Sequence, residues 1–184
     1  MEKGKIIFLN GVSSSGKTTI ANLLQERLSE PFYWLAGDTF VSFLPEKCAN
    51  SGDKQILEKA FILYYQTLKL YSDSGANVIA DHVFNKHLTP YLKCLEQLHN
   101  NPVLLVHVTC PLDELQRREI ERGDRPVGCA EYLLSVLWPE DTYDLTVDTH
   151  EEKPEECVEK IITALSKPND FSAFKTLWER NNYD

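Results

Sequence analysis

Residues 6–19, IIFLNGVSSSGKTT, decide how the rest of the chain is read. An apolar run, Ile6–Leu9, leads into Gly11–Thr18, which fits G-x-x-x-x-G-K-[ST], and a helical pattern follows. Gly11 and Gly16 let the backbone wrap tightly enough to turn several N–H groups inward as an anion nest. The helix beginning near Lys17 adds its positive dipole end. Lys17 reaches the β and γ phosphates of a nucleotide as a mobile point charge. Thr18 offers a hydroxyl oxygen to Mg²⁺, and Ser13, Ser14, Ser15 and Thr19 supply further donors to phosphate oxygens. The plainer alternative is a glycine- and serine-rich turn that only caps a helix. Chance yields such a pattern in roughly one chain of this size in a hundred or fewer, and the strand-before, helix-after context counts against it.

Outward from this loop, short apolar runs alternate with helical patterns. Phe32–Ala36, Asn77–Ala80, Val103–Thr109 and Leu145–Asp148 read as further strands. Thr19–Leu28, Lys54–Tyr71, about 88–98, about 111–122 and Pro154–Leu165 read as helices. Near-continuous apolar strands alternating with helices predict a parallel sheet covered on both faces. The expected fold is a single three-layer α/β/α domain with a five-stranded parallel sheet, over residues 1–167. Right-handed crossovers put the strands' carboxyl ends, and the loops after them, on one edge, where ligands bind in such sheets. Residues 168–184 form an amphipathic extension; Phe171, Phe174, Leu177 and Trp178 share a face that docks on the domain or makes a homo-oligomer contact.

Bulk properties narrow the class. The chain has 184 residues, 42% hydrophobic and 26% charged, with a formal charge of −9. That acidity disfavours a general nucleic-acid binder, which needs a basic footprint. No apolar run approaches a membrane span or a signal-peptide core, so a cytoplasmic protein is expected. The five cysteines are scattered, without CxxC spacing, and read as reduced core residues rather than zinc ligands or disulfides.

A phosphate loop serves kinases, switch GTPases and motor ATPases alike. Asn85–Lys86 is followed by His87–Leu88, so a guanine-reading NKxD tetrapeptide is absent, and large ATPases need a longer chain. A small-molecule kinase needs a carboxylate near the acceptor hydroxyl, acidity around the magnesium and arginines over the transferring group. Asp38, after the second strand, is the candidate base; its alternative is an N-cap for a short helix over 40–44. Asp81, after the third strand, is a candidate for the magnesium's water shell, or for the base; otherwise it only starts a turn. His82 beside it reads as structural. Arg117, Arg118, Arg122 and Arg125 cluster in residues 116–128, QRREIERGDRPVG, as lid arginines or as a solvated face paired with Glu119, Glu121 and Asp124. Arg122 and Arg125 are the stronger candidates for the transferring phosphoryl group. Phe40, Phe43, Phe61, Tyr64 and Tyr65 either flank a planar acceptor or pack in the core.

FLNGVSSSGKTTI, WLAGDTF, VIADHVF, RREIERGDRPVG and YDLTVDTHEEKPEECVEKI, in this order, resemble the chloramphenicol phosphotransferase family over about residues 4–165. The resemblance implies a nucleoside-monophosphate-kinase-like fold and ATP-dependent phosphorylation of a small-molecule hydroxyl, with Asp38 as base. It matches Gly11, Gly16, Lys17 and Thr18 to the nucleotide loop and Arg118, Arg122 and Arg125 to the lid. Thr149, in VDT, matches a loop near the adenine. The chain departs from the family pattern at His82, where a second aspartate is usual, and in a shorter segment over 44–55. ATP and Mg²⁺ are the expected cofactors. Two other readings stay open: a nucleoside, nucleotide, adenylylsulfate or sugar-nucleotide kinase, and a nucleotide-dependent regulatory or protein-binding module.

Overall fold

The computed structural model describes residues 2–85, 90–123, 128–137 and 142–182. Strands β1 (Ile6–Asn10), β2 (Phe32–Ala36), β3 (Asn77–His82), β4 (Val103–Thr109) and β5 (Leu145–Asp148) form one parallel sheet in the order β2-β3-β1-β4-β5. The helices are α1 (Lys17–Arg27), α2 (Gly37–Ser42), α3 (Glu46–Ala49), α4 (Lys54–Asp73), α5 (Tyr91–Leu98), α6 (Leu112–Arg122), α7 (Cys129–Leu134), α8 (Pro154–Leu165) and α9 (Ala173–Asn182). The expected three-layer architecture is present.

The central strands β1, β3 and β4 are buried on both faces over most of their length, which is why they read as near-continuous apolar runs. Ile6, Phe8, Val78, Ala80, Val103 and Leu105 face α4, α5 and α9. Ile7, Leu9, Ile79, Leu104, Val106 and Val108 face α1 and α8. A smaller cluster of Val12, Cys110, Leu115, Ala130 and Leu133 seats α6 and α7 on the carboxyl edge. Among the described residues none of the five cysteines is joined in a disulfide. Among the described residues no helix is long and apolar enough to cross a membrane.

β3 runs two residues past its apolar run. Asp81 pairs in register with Leu9 and Ala36, and His82 with Asn10, so polar side chains do not end the strand. Asp38 is not an N-cap. The short helix begins earlier, at Gly37, and Asp38 lies in its first turn after an extended Ala36. The helix expected from about residue 88 is described from Tyr91; residues 86–89 lie outside the described segments.

The C-terminal face lies on its own domain. Phe174 stacks on Phe84 with centroids 5.6 Å apart and meets Phe8 at 5.4 Å, while Trp178 stacks on His99 at 4.5 Å. The Asp144 carboxylate accepts from the amides of Ser172 and Ala173 at 2.8 and 2.9 Å, and so holds the entry to α9. Burying Phe174 and Leu177 contributes roughly 1.5–3 kcal/mol each.

Candidate active site

The sheet order makes the site. β1 sends its chain towards β2 and β4 sends its chain towards β5, so the loops after these neighbouring strands diverge and open a crevice at the carboxyl edge. The segment Gly11–Thr18 lies there. A Cβ at Gly11 would stand 2.3 Å from the Val108 carbonyl oxygen, so only glycine lets the loop leave β1 against β4. Ser14 (φ 62°) and Gly16 (φ 94°) take left-handed conformations, a local strain that alternates backbone directions as a nest requires. No acidic residue stands in the first turn of α1 to neutralise its positive end.

The hydroxyls of Ser13, Ser14 and Ser15 are buried and have no hydrogen-bond partner among the described residues. Three orphaned donors side by side are rare in a folded chain, and a polyanion with many acceptor oxygens satisfies them. The Lys17 ammonium donates to the carbonyls of Gly11 and Val12, each at 2.9 Å. Thr18 donates through Oγ1 to Asp81 Oδ2 at 3.3 Å. The alternation of β3 explains this pair: Asp81 shares the face of Ile79, on the α1 side, and His82 shares the opposite face with Ala80.

A cleft of about 560 Å³ joins these groups. Its walls include Ser13, Ser14, Lys17, Thr18, Thr19, Asp38, Asp81, Arg118, Arg122 and Thr149. The carboxylates lie at the ends of β2 and β3, and the arginines on α6, across the sheet. Arg125 lies outside the described residues.

Arg118 and Arg117 separate sharply. Arg117 turns outward to Glu114 and Glu121. Arg118 donates to Glu114 at 2.7 Å, to the Thr149 hydroxyl at 3.0 Å and to the Thr149 carbonyl at 3.0 Å. Thr149 in turn donates to the Ser15 carbonyl at 2.9 Å. The turn after β5 is thereby tied to the phosphate loop. Hydrogen bonds from Arg117, and then Arg118, hold the Glu114 carboxyl down to about 2.

Several participants had no signal in the sequence. Trp34, Ala36 and Val83 line the cleft. Trp34 faces α1 from the middle of β2, and its indole N–H is buried without a partner among the described residues. Glu119, which the alternative reading of the arginine cluster put on a solvated face, is 1% exposed and accepts from the amides of Gly128 and Ala130 at 3.1 and 2.7 Å. It caps α7 and so bridges the arginine-rich segment. The aromatic set does not line the cleft. Tyr64 and Tyr65 are core residues, Phe40 and Phe61 pack against them, and Phe43 is exposed. His82 lines the cleft from within that core, and Tyr65 Oη lies 3.0 Å from its Nε2. Burial drives its pKa down to about 3.

Among the described residues no group of three or more His, Cys, Asp or Glu is placed to hold a metal ion. Thr18 and Asp81 form an oxygen pair beside the phosphate loop, which fits Mg²⁺, an ion usually held by one or two protein oxygens together with substrate phosphates.

Comparison with known proteins agrees with this geometry. The family described as chloramphenicol phosphotransferase-like protein matches residues 4–166. The protein named "Putative O-phosphotransferase Rv2636" of Mycobacterium tuberculosis (strain H37Rv) is 30% identical over 81% of this chain and 76% of its own length. An adenylyl-sulfate kinase of Clostridium acetobutylicum is 23% identical over 90% of this chain and 85% of its own. Among solved structures, the Mycobacterium tuberculosis APS kinase CysC in complex with AMPPNP and APS superposes with a TM-score of 0.68 at 18% identity. That superposition covers 90% of this chain and 99% of that one. At this identity it speaks for the fold alone, a P-loop kinase fold.

Proposed function

The chain belongs to the chloramphenicol phosphotransferase-like family, and from that premise we propose that it is an ATP- and Mg²⁺-dependent kinase of a small-molecule hydroxyl. The observation that carries the reading is the row of three orphaned serine hydroxyls in a strained nest. It opens into the same cleft as Asp38 and two arginines.

In this reading Gly11–Thr19 hold the triphosphate through backbone amides and the serine and threonine hydroxyls. Lys17 exchanges its carbonyl partners for the β and γ phosphate oxygens. Thr18 and Asp81 are the protein's oxygens for Mg²⁺. When bound, that ion would draw charge from the β and γ oxygens and so stabilise the transition state. Asp38 orients the acceptor hydroxyl and accepts its proton as the new O–P bond forms. The bond between the γ phosphorus and the β–γ bridging oxygen breaks, and ADP leaves with the electron pair. The role assigned to Arg122 and Arg125 is to stabilise the charge spread over the equatorial oxygens. Arg118 and Thr149 close the nucleotide side.

Incubation with ATP, Mg²⁺ and pooled hydroxyl-bearing metabolites and antibiotics tests the proposal. A gain of about 80 Da on an acceptor is the signature of phosphoryl transfer. Nucleotide binding without transfer to any compound would leave a regulatory or protein-binding module instead. Adenylylsulfate kinase is the second enzymatic reading, favoured by the relative from Clostridium acetobutylicum.

A further inference from the structure

Side chains from outside the phosphate loop bind its carbonyls. Arg118 Nη1 donates to the Ser14 carbonyl at 3.4 Å, and Thr149 Oγ1 donates to the Ser15 carbonyl at 2.9 Å. A hydroxyl has one proton to give, and a second carbonyl, that of Thr109, stands at 3.3 Å. Arg118 Nη1 also donates to Thr149 Oγ1, at 3.0 Å, so the hydroxyl proton must point elsewhere, and its shorter contact is to Ser15. Thr149 is itself fixed at both ends of its backbone. Its amide donates to the Thr109 carbonyl at 3.0 Å, and its carbonyl accepts from Arg118 at 3.0 Å. The methyl group lies against the loop as well: a Cβ at Gly16 would stand 3.2 Å from Thr149 Cγ2.

The bonded carbonyl belongs to the peptide that joins Ser15 to Gly16. In a trans peptide the C=O and N–H point in opposite directions, so a carbonyl fixed on Thr149 aims the Gly16 N–H away from Thr149. That stretch is also where the loop is strained, with Ser14 at φ 62° and Gly16 at φ 94°. A left-handed backbone at a residue other than glycine persists where its surroundings over-determine it. Arg118 and Thr149 supply such bonds from α6 and from the turn after β5. From this geometry we infer that Thr149 is a positioning residue for the phosphate loop. Its hydroxyl, oriented by Arg118, holds the anion nest ready-formed and thereby sets the loop's affinity for a polyphosphate chain, whatever nucleoside the chain carries. A loop already in its bound conformation loses less binding free energy to ordering. The inference rests on the nucleotide-loop part of the kinase reading and deepens it. The family resemblance matches Thr149 to a loop near the adenine, whereas its hydroxyl is committed to the backbone that receives phosphate.

The test is calorimetric titration with two probes, a non-hydrolysable ATP analogue and inorganic tripolyphosphate, each with Mg²⁺. Thr149→Val keeps the shape and removes the hydroxyl; Thr149→Ser keeps the hydroxyl and removes the methyl. Thr149→Val should weaken both probes by the same factor, roughly two- to tenfold, the loss of one hydrogen bond between neutral groups. Thr149→Ser should restore most of the affinity for both. Thermal denaturation without ligand checks that each variant folds, and Thr149→Ala carries the same expectation as Thr149→Val. Weaker binding of the ATP analogue alone would mean that Thr149 serves the nucleoside, and it overturns the inference. Unchanged affinity for both probes overturns it too, as does a wild-type protein that binds the analogue but not tripolyphosphate. All three results leave the kinase reading standing. Failure of both Thr149→Val and Thr149→Ala to fold would assign the hydroxyl to the fold as a whole, against the inference. A wild-type protein that binds neither probe overturns the kinase reading and this inference with it.

Discussion

The imidazole of His82 fills the space that a side chain at Gly37 would need: a Cβ at position 37 would stand 2.4 Å from His82 Nδ1. The last residue of β3 and the first residue of α2 are thus matched in size, and Asp38 follows directly on Gly37. The ring is held from behind by Phe61, Tyr64 and Tyr65, with centroids 4.8–5.7 Å away. It cannot retreat without repacking the core.

Gly37→Ala should therefore destabilise the fold by roughly 1–3 kcal/mol, the cost of overpacking. In a His82→Ala background the same change should cost much less, because the ring is gone. Urea denaturation of the four proteins measures the coupling. Simple additivity would show that the two residues do not compete for one space.

His82 also predicts a pH dependence. Its ordinary value is 6.5 and burial lowers it to about 3 in the fold, so between these limits the unfolded chain binds the extra proton. Its contribution is complete above about pH 6.5 and is lost as the pH falls towards 3, at up to about 1.4 kcal/mol per pH unit. Glu114, held down to about 2, adds to the loss only at lower pH, from the ordinary carboxylate range downwards. His82→Gln should flatten the stability profile between pH 6 and 4; an identical slope in the variant would assign the loss elsewhere.

Ser15→Ala removes a fully buried hydroxyl that makes no bond within the described protein. The fold should be unaffected or slightly stabilised, since an unsatisfied polar atom is deleted. Nucleotide affinity should fall several-fold. Calorimetric titration with a non-hydrolysable ATP analogue, paired with thermal denaturation, separates the two effects. Substantial destabilisation would mean that the hydroxyl has a structural partner.

Lys17→Ala should abolish nucleotide-dependent turnover. Asp38→Asn should leave nucleotide binding nearly intact while cutting phosphoryl transfer by on the order of a hundredfold or more. Transfer at the wild-type rate by the Asn variant would remove Asp38 from the base role.

Arg118→Lys keeps the charge but loses the fork that engages Glu114 and both oxygens of Thr149. A lysine reproduces one of these bonds at a time. Stability should drop by about 1–3 kcal/mol, and the nucleotide KM should rise as the turn after β5 loosens from the phosphate loop. Equal stability and equal KM in the variant would reduce the clamp to a surface contact.

How legible the molecule was in its sequence depended on how local each cause is. All five strand starts and the ends of β2, β4 and β5 were readable because strands packed between two helix layers are apolar for most of their length. β3 outran its apolar run because ladder pairing to β1 carries Asp81 and His82 inside the sheet, and pairing partners leave no mark on the strand itself. Asp38 and Asp81 were found as strand-end carboxylates. Trp34 was not, because a strand tryptophan reads as core until its face and its neighbour α1 are known. The aromatic set of α4 sat at helical spacing whichever way it faced, and the fold turned it into the core.

By itself the sequence determined the phosphate loop and the sheet that presents it. The nest is made by backbone conformations of eight contiguous residues, and two glycines and a lysine at the right spacing suffice to encode it. Only the tertiary structure decided which arginine clamps the loop and which glutamate is buried as a cap. Those outcomes depend on contacts such as Arg118 with Thr149, 31 residues apart, and Thr149 with Ser15, 134 apart. Packing brings such partners together, and no local pattern records the pairing.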